Sequence, residues 1–440
     1  MYYYPPNDPE ERGSIFSADR EARNPVANQT NPARQQQINQ PLGIMRKVVH
    51  LATFGDSDTA VFCSKFSDDD RYLATGYGDG ITRIYNLATG KLSYSLQSFE
   101  TEESALPVTC VQWRPVTASL KTANVLVTAQ ADGSLKHWHA TSGKCLHKTC
   151  ENPENHLYAI DFTPDGTLLA AAGRDRVVRI YDETTKALAF EMKEKGRLFG
   201  HSNRIFCLKF NKGDSNMLVS GGWDNNVFVY DMRYRGPVHA IYGPHVCGDT
   251  LDFKRDGYTM VAGSYRGTDA LEVYDMRMMR RSRVIPWQGS GAEELLPNEE
   301  VTDLDDDAAP QTDADATETE QEERKGNETG DTTEASTRLR FRRKDKPAMA
   351  PFLYTTMINK REDLIFAGGA GKNEMRLFDF ETGNIVALIG NLPKSVLCGA
   401  LSSTSNQFAF GSADSRVRIF DIKQQQQTTS VMSSQRSSRR

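Results

Sequence analysis

The sequence predicts an all-β fold built from seven copies of one unit, and three observations predict it. The stretch SGGWDNNVFVYD, Ser220 to Asp231, reads as strand, tight turn and strand: small and apolar residues up to Gly222, polar Asp224, Asn225 and Asn226 at the reversal, then alternating Val227, Val229 and Tyr230. The pattern recurs as TGYGDGITRIYN from Thr75, TAQADGSLKHWH from Thr128, AAGRDRVVRIYD from Ala171, AGSYRGTDALEVYD from Ala262, AGGAGKNEMRLFDF from Ala367 and FGSADSRVRIFD from Phe410. The aromatic residue near the end of each copy (Tyr85, Trp138, Tyr181, Tyr230, Tyr274, Phe378 and Phe420) returns at intervals of 53, 43, 49, 44, 104 and 42 residues. A unit of about 40 to 45 residues made of four short strands is one blade of a β-propeller. The expected fold is a single seven-bladed β-propeller.

These residues resemble the WD40-repeat family. The copy around Ser220 matches its pattern most fully, because Gly200 and His201 lie upstream and Asp224 sits in the turn, with Tyr230 in place of the family's tryptophan. The resemblance implies a hydrogen-bonded set of His201, Ser220, Asp224 and Tyr230 that ties the loop before blade four to its inner strands. Elsewhere only Trp138 keeps the indole, and only blade four has the Gly-His pair. The resemblance covers most of Met45 to Gln424 and speaks to fold, since the family is functionally diverse.

In chain order, residues 1–44 are rich in Pro, Asn, Gln and charge without a period of 2 or 3.6, and are expected to be a disordered tail in which Tyr2 to Tyr4 form a sticky free end. The run RKVVHLATF within 45–54 reads as a lone strand. The family resemblance implies that it completes the last blade, closing the ring and removing two exposed sheet edges. The propeller is expected over 45–424, with blades at about 52–97, 107–150, 156–192, 203–242, 245–287, 351–390 and 395–424. Longer connections at Thr117 to Ala123 and at Lys193 to Ser202 account for the two wide intervals, and Gly267 and Thr268 lengthen the blade-five hairpin. Residues 289–348 have almost no aliphatic side chains and are expected to be a disordered acidic insertion within the propeller. Removing this insertion from the 104-residue interval leaves an ordinary blade spacing. Residues 425–440 read as a disordered tail that is basic at its end.

The formal net charge of −5 is unevenly spread: 17 acidic residues against Arg324 and Lys325 lie between Glu293 and Glu334, followed by the basic run RLRFRRKDK from Arg338. That run reads as a nuclear-import or nucleic-acid patch or as a simple counterweight to the acidic stretch. Phe341, Arg342 and Arg343 are similar to the lipid-binding motif of phosphoinositide-binding propellers, but Lys344 stands where that motif has Gly. No apolar run approaches the roughly 18 residues needed to cross a bilayer, and MYYYPPNDPEERG lacks the features of a secretory signal. No membrane partner is expected, and nucleic acid is not the expected partner. Among the seven cysteines, Cys63, Cys110, Cys207 and Cys398 each precede by three residues the last large apolar residue of an inner strand, and no C-x-x-C pair occurs. They read as small core residues in a reducing compartment, the cytoplasm first and the nucleus second.

Catalytic constellations are absent from this reading, so neither an enzyme nor a cofactor is expected. His137 and His139 flank Trp138 on one strand face, where two metal ligands would also fit, but they read as partly exposed sheet residues. Asp79, Asp132, Asp175, Asp224 and Asp414 recur at the repeat period as structural caps of hairpins. In a propeller of this type, interaction residues gather on the top face. Arg174 and Trp223 precede the turn aspartates of blades three and four, Tyr265 and Arg266 lie nearby in blade five, and the inner strands start with His156, Tyr158, Arg204, Phe206 and Asp249. Arg, Trp and Tyr are the side chains most enriched in binding hot spots, so these nine are the candidate protein-binding face. The acidic insertion hangs beside Arg174 and Arg204, which suggests that it competes with an acidic partner or recruits a basic one in a salt-dependent way. On the opposite face, YDMR occurs twice, at Tyr230 to Arg233 and Tyr274 to Arg277. This is similar to the WDxR box of substrate receptors, which implies that Arg233 and Arg277 dock on a cullin-RING ubiquitin ligase adaptor. The expected function is a non-catalytic protein–protein interaction scaffold that presents a preformed surface, with ligase substrate receptor as the alternative.

Overall fold

The computed structural model describes residues 46–97, 105–116, 124–192, 199–287, 294–295, 351–404 and 406–424. The expectations for the tails 1–44 and 425–440, for the basic run from Arg338 and for the insertion apart from Glu294–Leu295 lie outside these residues. Seven antiparallel sheets stand around a common axis. Their inner strands are Val61–Phe66, Val108–Trp113, Leu157–Phe162, Ile205–Phe210, Leu251–Phe253, Phe352–Ile358 and Val396–Leu401. Each inner strand packs against the next, and the seventh packs against the first. The fold is thus the expected all-β seven-bladed propeller. Among the described residues no helix is long and apolar enough to cross a membrane.

Every blade interior strand is buried on both faces, which is why stretches such as LLAAAG and MLVSGG read as continuous small and apolar runs instead of alternating ones. Alternate side chains feed the two flanking seams, and the seven apolar clusters of the core each lie between two neighbouring blades. Near the axis space is short, so the inner strands carry Cys63, Cys110, Ala159, Cys207, Thr355 and Cys398 opposite Gly76, Ala129, Ala172, Gly221, Gly368 and Gly411 of the second strands. A Cβ on Gly76 would lie 2.5 Å from the Cys63 sulfur.

The ring closes through Arg46–Phe54, which runs antiparallel to Val417–Gln424. Phe54 reaches past its own blade and stacks on Tyr85 of blade one, with ring centroids 4.3 Å apart. A second junction is reinforced differently. Across the seam of blades five and six the Thr356 amide donates to the Asp249 carbonyl (3.0 Å) and the Leu353 amide to the Ser264 carbonyl (3.3 Å), so the two blades share backbone bonds. Asp252 accepts the Ile358 amide at 2.9 Å in the same seam. Glu294–Leu295, within the expected insertion, adds a parallel fifth strand to blade six beside Leu388 and Ile389.

Each turn aspartate accepts the amide two residues on, as in Asp79 to Ile81 (2.9 Å), Asp132 to Ser134 (2.8 Å) and Asp175 to Val177 (3.2 Å). In blades one, two, three and seven it also meets a cation four residues on: Asp79 with Arg83 (2.8 Å), Asp132 with Lys136 (3.7 Å), Asp175 with Arg179 (2.6 Å) and Asp414 with Arg418 (2.7 Å). Blade four differs. His201 Nδ1 lies 2.9 Å from Asp224, its Nε2 lies 2.6 Å from Ser220 Oγ, and Ser220 Oγ lies 3.4 Å from the Tyr230 hydroxyl. Burial alone would push the Asp224 carboxyl up, but the His201 bond and charge with the Ser202 and Asn226 amides hold it below the ordinary range. Blade five inverts the polarity, with buried Glu272 on the third strand held by Arg266 (2.7 Å) and Arg281 (2.6 Å). In blade two Trp138 donates to Thr128 Oγ1 at 3.0 Å. His137 is not partly exposed: it is buried and sits 2.8 Å from Glu183 of blade three, while His139 bonds Ser142.

Candidate functional site: an aromatic arc around the channel mouth

The inner strands carry a β-bulge at the same place in six blades. Pairing with the second strand slips between Val61 and Cys63, Val108 and Cys110, Leu157 and Ala159, Ile205 and Cys207, Leu353 and Thr355, and Val396 and Cys398. A bulge re-aims the extra side chain. Here the extra residues are Phe62, Thr109, Tyr158, Phe206, Tyr354 and Leu397, and all six line the mouth of the axial channel, a cavity of about 460 Å³. Blade five puts Gly248 there, where the backbone passes so close that a Cβ would lie 2.2 Å from the Tyr354 carbonyl oxygen.

Four of the six bulge residues are aromatic, and the rings continue outward over blades three to six. Tyr158 stacks on Phe206 (4.7 Å between centroids), Phe206 meets Trp223 (5.1 Å), and Trp223 lies parallel to His245 (6.4 Å). His245 leads to Tyr265 (6.4 Å), which touches both Phe352 (4.5 Å) and Tyr354 (5.4 Å). His156 starts the arc, 6.3 Å from Tyr158. Arg204 lies over the Trp223 ring at 5.4 Å, and the His245 ring is oriented by Asn225 Oδ1 at 2.7 Å. Trp223 is 39% exposed and Phe62 41% exposed, so the arc is open to solvent. Burial pushes the Tyr354 hydroxyl up to about 12, with a contribution from its bond to Tyr265, and burial holds His245 below the usual imidazole range.

Of the sequence candidates, His156, Tyr158, Phe206, Trp223 and Tyr265 therefore join one surface, with Arg204 against it. Arg174 is exposed on the blade-three turn, where its amide donates to the His156 carbonyl at 2.9 Å. Two candidates go elsewhere. Arg266 is turned to Glu272 and to the Gly243 carbonyl (3.0 Å), away from the arc. Asp249 faces the channel, where Lys209 (2.8 Å) and Lys65 (3.2 Å) approach its carboxylate. Phe62, His245, Phe352 and Tyr354 were missed; an aromatic in second or third place of an inner-strand run, as in VFCSKF and FLYTTMI, was the available signal. Within the channel, burial pushes the Cys110 and Cys398 thiols up to about 11, which keeps them protonated and unreactive. Among the described residues no group of three or more His, Cys, Asp and Glu could hold a metal ion.

At the opposite end, Arg233 chelates Asp231 (2.7 and 3.0 Å) and Arg277 chelates Asp275 (3.0 and 3.2 Å). Both guanidiniums are well exposed, and Arg277 lies over the exposed ring of Tyr258 at 5.3 Å. Met232 and Met276 between them anchor the turns in the core.

Two family models match the chain: "WD domain, G-beta repeat" over residues 143–182 and 192–231, and "Anaphase-promoting complex subunit 4 WD40 domain" over residues 44–116. Among curated proteins it is similar to the THO complex subunit 6 homolog of Danio rerio, 28% identical over 252 residues that cover 52% of this chain and 72% of that protein. It is 33% identical over 113 residues to WD repeat and SOCS box-containing protein 1 of Xenopus tropicalis, which covers 24% of each chain. Over 112 residues it is 29% identical to Target of rapamycin complex subunit LST8-1 of Arabidopsis thaliana, covering 26% of this chain and 34% of that one. The matches to these last two span only about a quarter to a third of the relatives' own length.

Proposed function

The chain belongs to the WD40-repeat family, and from that premise we propose that it is a non-catalytic scaffold that holds a partner protein on the aromatic arc at the channel mouth. One observation carries this reading: eight aromatic and histidine rings run unbroken from His156 to Tyr354 across four blades, with Trp223 at the centre still 39% exposed. Clustered aromatics with an arginine beside them have the composition of an interface centre. The closed ring fixes them before a partner arrives, so little ordering entropy is lost on binding. The reducing compartment suggested by unpaired cysteines favours the cytoplasm, with the nucleus second. The test is affinity purification with mass spectrometry on wild type and on a Trp223→Ala/Tyr265→Ala variant, with thermal midpoints measured alongside. The reading expects a defined set of proteins to disappear from the variant while its midpoint stays within a few degrees; an unchanged set would refute it.

A second reading, docking on a cullin-RING ligase adaptor, is favoured by one observation. Arg233 and Arg277 occupy equivalent exposed turns of adjacent blades, each preset by its own aspartate. An Arg233→Ala/Arg277→Ala variant that alone loses a co-purifying adaptor supports it, and no adaptor with wild type removes it.

A further inference from the structure

The channel beneath the arc is not uniformly apolar. Lys65 of blade one reaches across the lumen to Asp249 of blade five, placing its ammonium 3.2 Å from Oδ2. The same carboxylate is already held by Lys209 of blade four, at 2.8 Å from Oδ1 and 3.1 Å from Oδ2, and takes the Cys207 thiol at 3.4 Å. Burial would raise the Asp249 carboxyl, but the charges of Lys209 and then Lys65 outweigh it and keep the group ionised, far below the usual carboxylate range. Two ammonium groups therefore share one carboxylate. The other nearby acid, Asp161, gives its oxygens to the Phe210 amide (2.7 Å) and to Gln112 (3.4 Å) and meets Lys209 and Lys65 through space.

An ammonium carries three donors, and Lys65 spends one of them among the described residues. Its side chain is 23% exposed and lines the lumen, where Lys65 and Asp249 are the charged residues of the described lining. Above it stand Phe62, Tyr158, Phe206 and Tyr354. A carboxylate entering here would accept from the donors that Lys65 does not give to Asp249. An entering ammonium would find the Asp249 oxygens already taken by Lys209, Lys65 and the Cys207 thiol.

Resting on the reading of the mouth as a partner surface, we infer that the channel receives the carboxylate of an aspartate or glutamate from the partner. The acid would sit on Lys65, and a bulky apolar residue beside it in the partner's sequence would fill the collar of Phe62, Tyr158, Phe206 and Tyr354. The requirement is thus an acidic-apolar pair, not general acidity. The exposed rim arginine Arg174, together with Arg204, extends the same preference to flanking residues.

The experiment uses the full chain and three arrays of synthetic decapeptides with a fixed central Glu-Phe, Gln-Phe or Lys-Phe pair in otherwise randomised sequence. Binding to the Glu-Phe array is expected to exceed the Gln-Phe array by about tenfold or more, the scale of one charge-assisted hydrogen bond, with Lys-Phe weakest. Lys65→Met, which keeps the apolar stem, should erase the difference between Glu-Phe and Gln-Phe. Exposed Phe62→Ala should weaken both equally, which gives a readout even where Lys65→Met fails to fold. Equal binding of Glu-Phe and Gln-Phe, a preference for Lys-Phe, or no binding to any array overturns the inference. Any of these together with loss of co-purifying proteins in Trp223→Ala/Tyr265→Ala would leave the partner surface standing and remove only the carboxylate.

Discussion

Blade four and blade three solve the same problem with different partners. Both must hold a hairpin aspartate that caps the turn between their second and third strands, Asp224 and Asp175. In blade three the cation comes from the third strand itself, Arg179, four residues on. In blade four the partner is the ring of His201 from the preceding loop, and the position four residues on is Phe228, which packs edge-on against the imidazole at 4.6 Å. Among the five blades that carry a turn aspartate, the strand position is Phe228 where the loop supplies a ring and Arg or Lys where it does not. The aspartate's need is constant and its satisfaction is negotiable, which explains how these five blades keep one hairpin with so few shared letters.

The comparison can be broken most sharply at His201. Its side chain is fully buried with Asp224 almost so, and His201→Ala would leave the buried carboxylate to the Ser202 and Asn226 amides and the Ser220 hydroxyl to its long contact with Tyr230, a loss of about 3 kcal/mol in urea unfolding. Introducing Phe228→Arg into that background supplies the blade-three solution and should recover a substantial part of the loss, whereas Phe228→Arg alone should destabilise by disturbing packing against His201. An additive double-mutant cycle would sink the idea that the two positions are alternatives. Next in size are the strand cations, ranked by burial. Arg418 with Asp414 is as enclosed as the blade-four pair, Arg179 with Asp175 is 10% and 18% exposed, and Asp132 beside Lys136 is 31% exposed. Replacing each cation by Met should therefore cost about 3, about 1 to 2 and at most about 1 kcal/mol in that order. A reversed order would mean that packing, not charge, sets the cost. The smallest effect is the pH response. Asp224 has a folded-state pKa depressed below its unfolded value, so its contribution is complete above the unfolded pKa near about 4 and is lost as pH falls through the lower folded value. Wild type should lose stability more steeply than Asp224→Asn between pH 5 and pH 3.

How much of this the sequence discloses follows from the same physics. Turn aspartates and strand-end aromatics recur along the chain, so the seven blades are legible one by one, and the closing strand is legible through the family resemblance. Tyr158, Phe206, Trp223 and Tyr265 stand out because their side-chain types are rare on a passive surface. Their place on one face is legible, but the continuous arc they form with His245, Phe352 and Tyr354 is not, because it depends on bulges that move one residue out of alternation in six inner strands. Asp249 has the same difficulty on a longer scale. Its partner Lys65 lies 184 residues away across the axis, and only closure of the ring brings the two together. His137 looks like an ordinary strand residue until the neighbouring blade delivers Glu183 against it.

The backbone bonds between blades five and six bear on how the polypeptide could be rewired. Positions 46 and 424 are direct antiparallel partners, about 5 Å apart at Cα by strand geometry, while blades five and six are laced together by the Leu353 and Thr356 amides just after residue 351. A circular permutant joined from 424 to 46 and opened between 295 and 351 would keep every blade and every seam. Its new N-terminal end would emerge beside Phe352, at the edge of the aromatic arc, and so would offer a place to tether a reporter or a peptide within reach of the channel, while the other end leaves from beside Leu388 and Ile389.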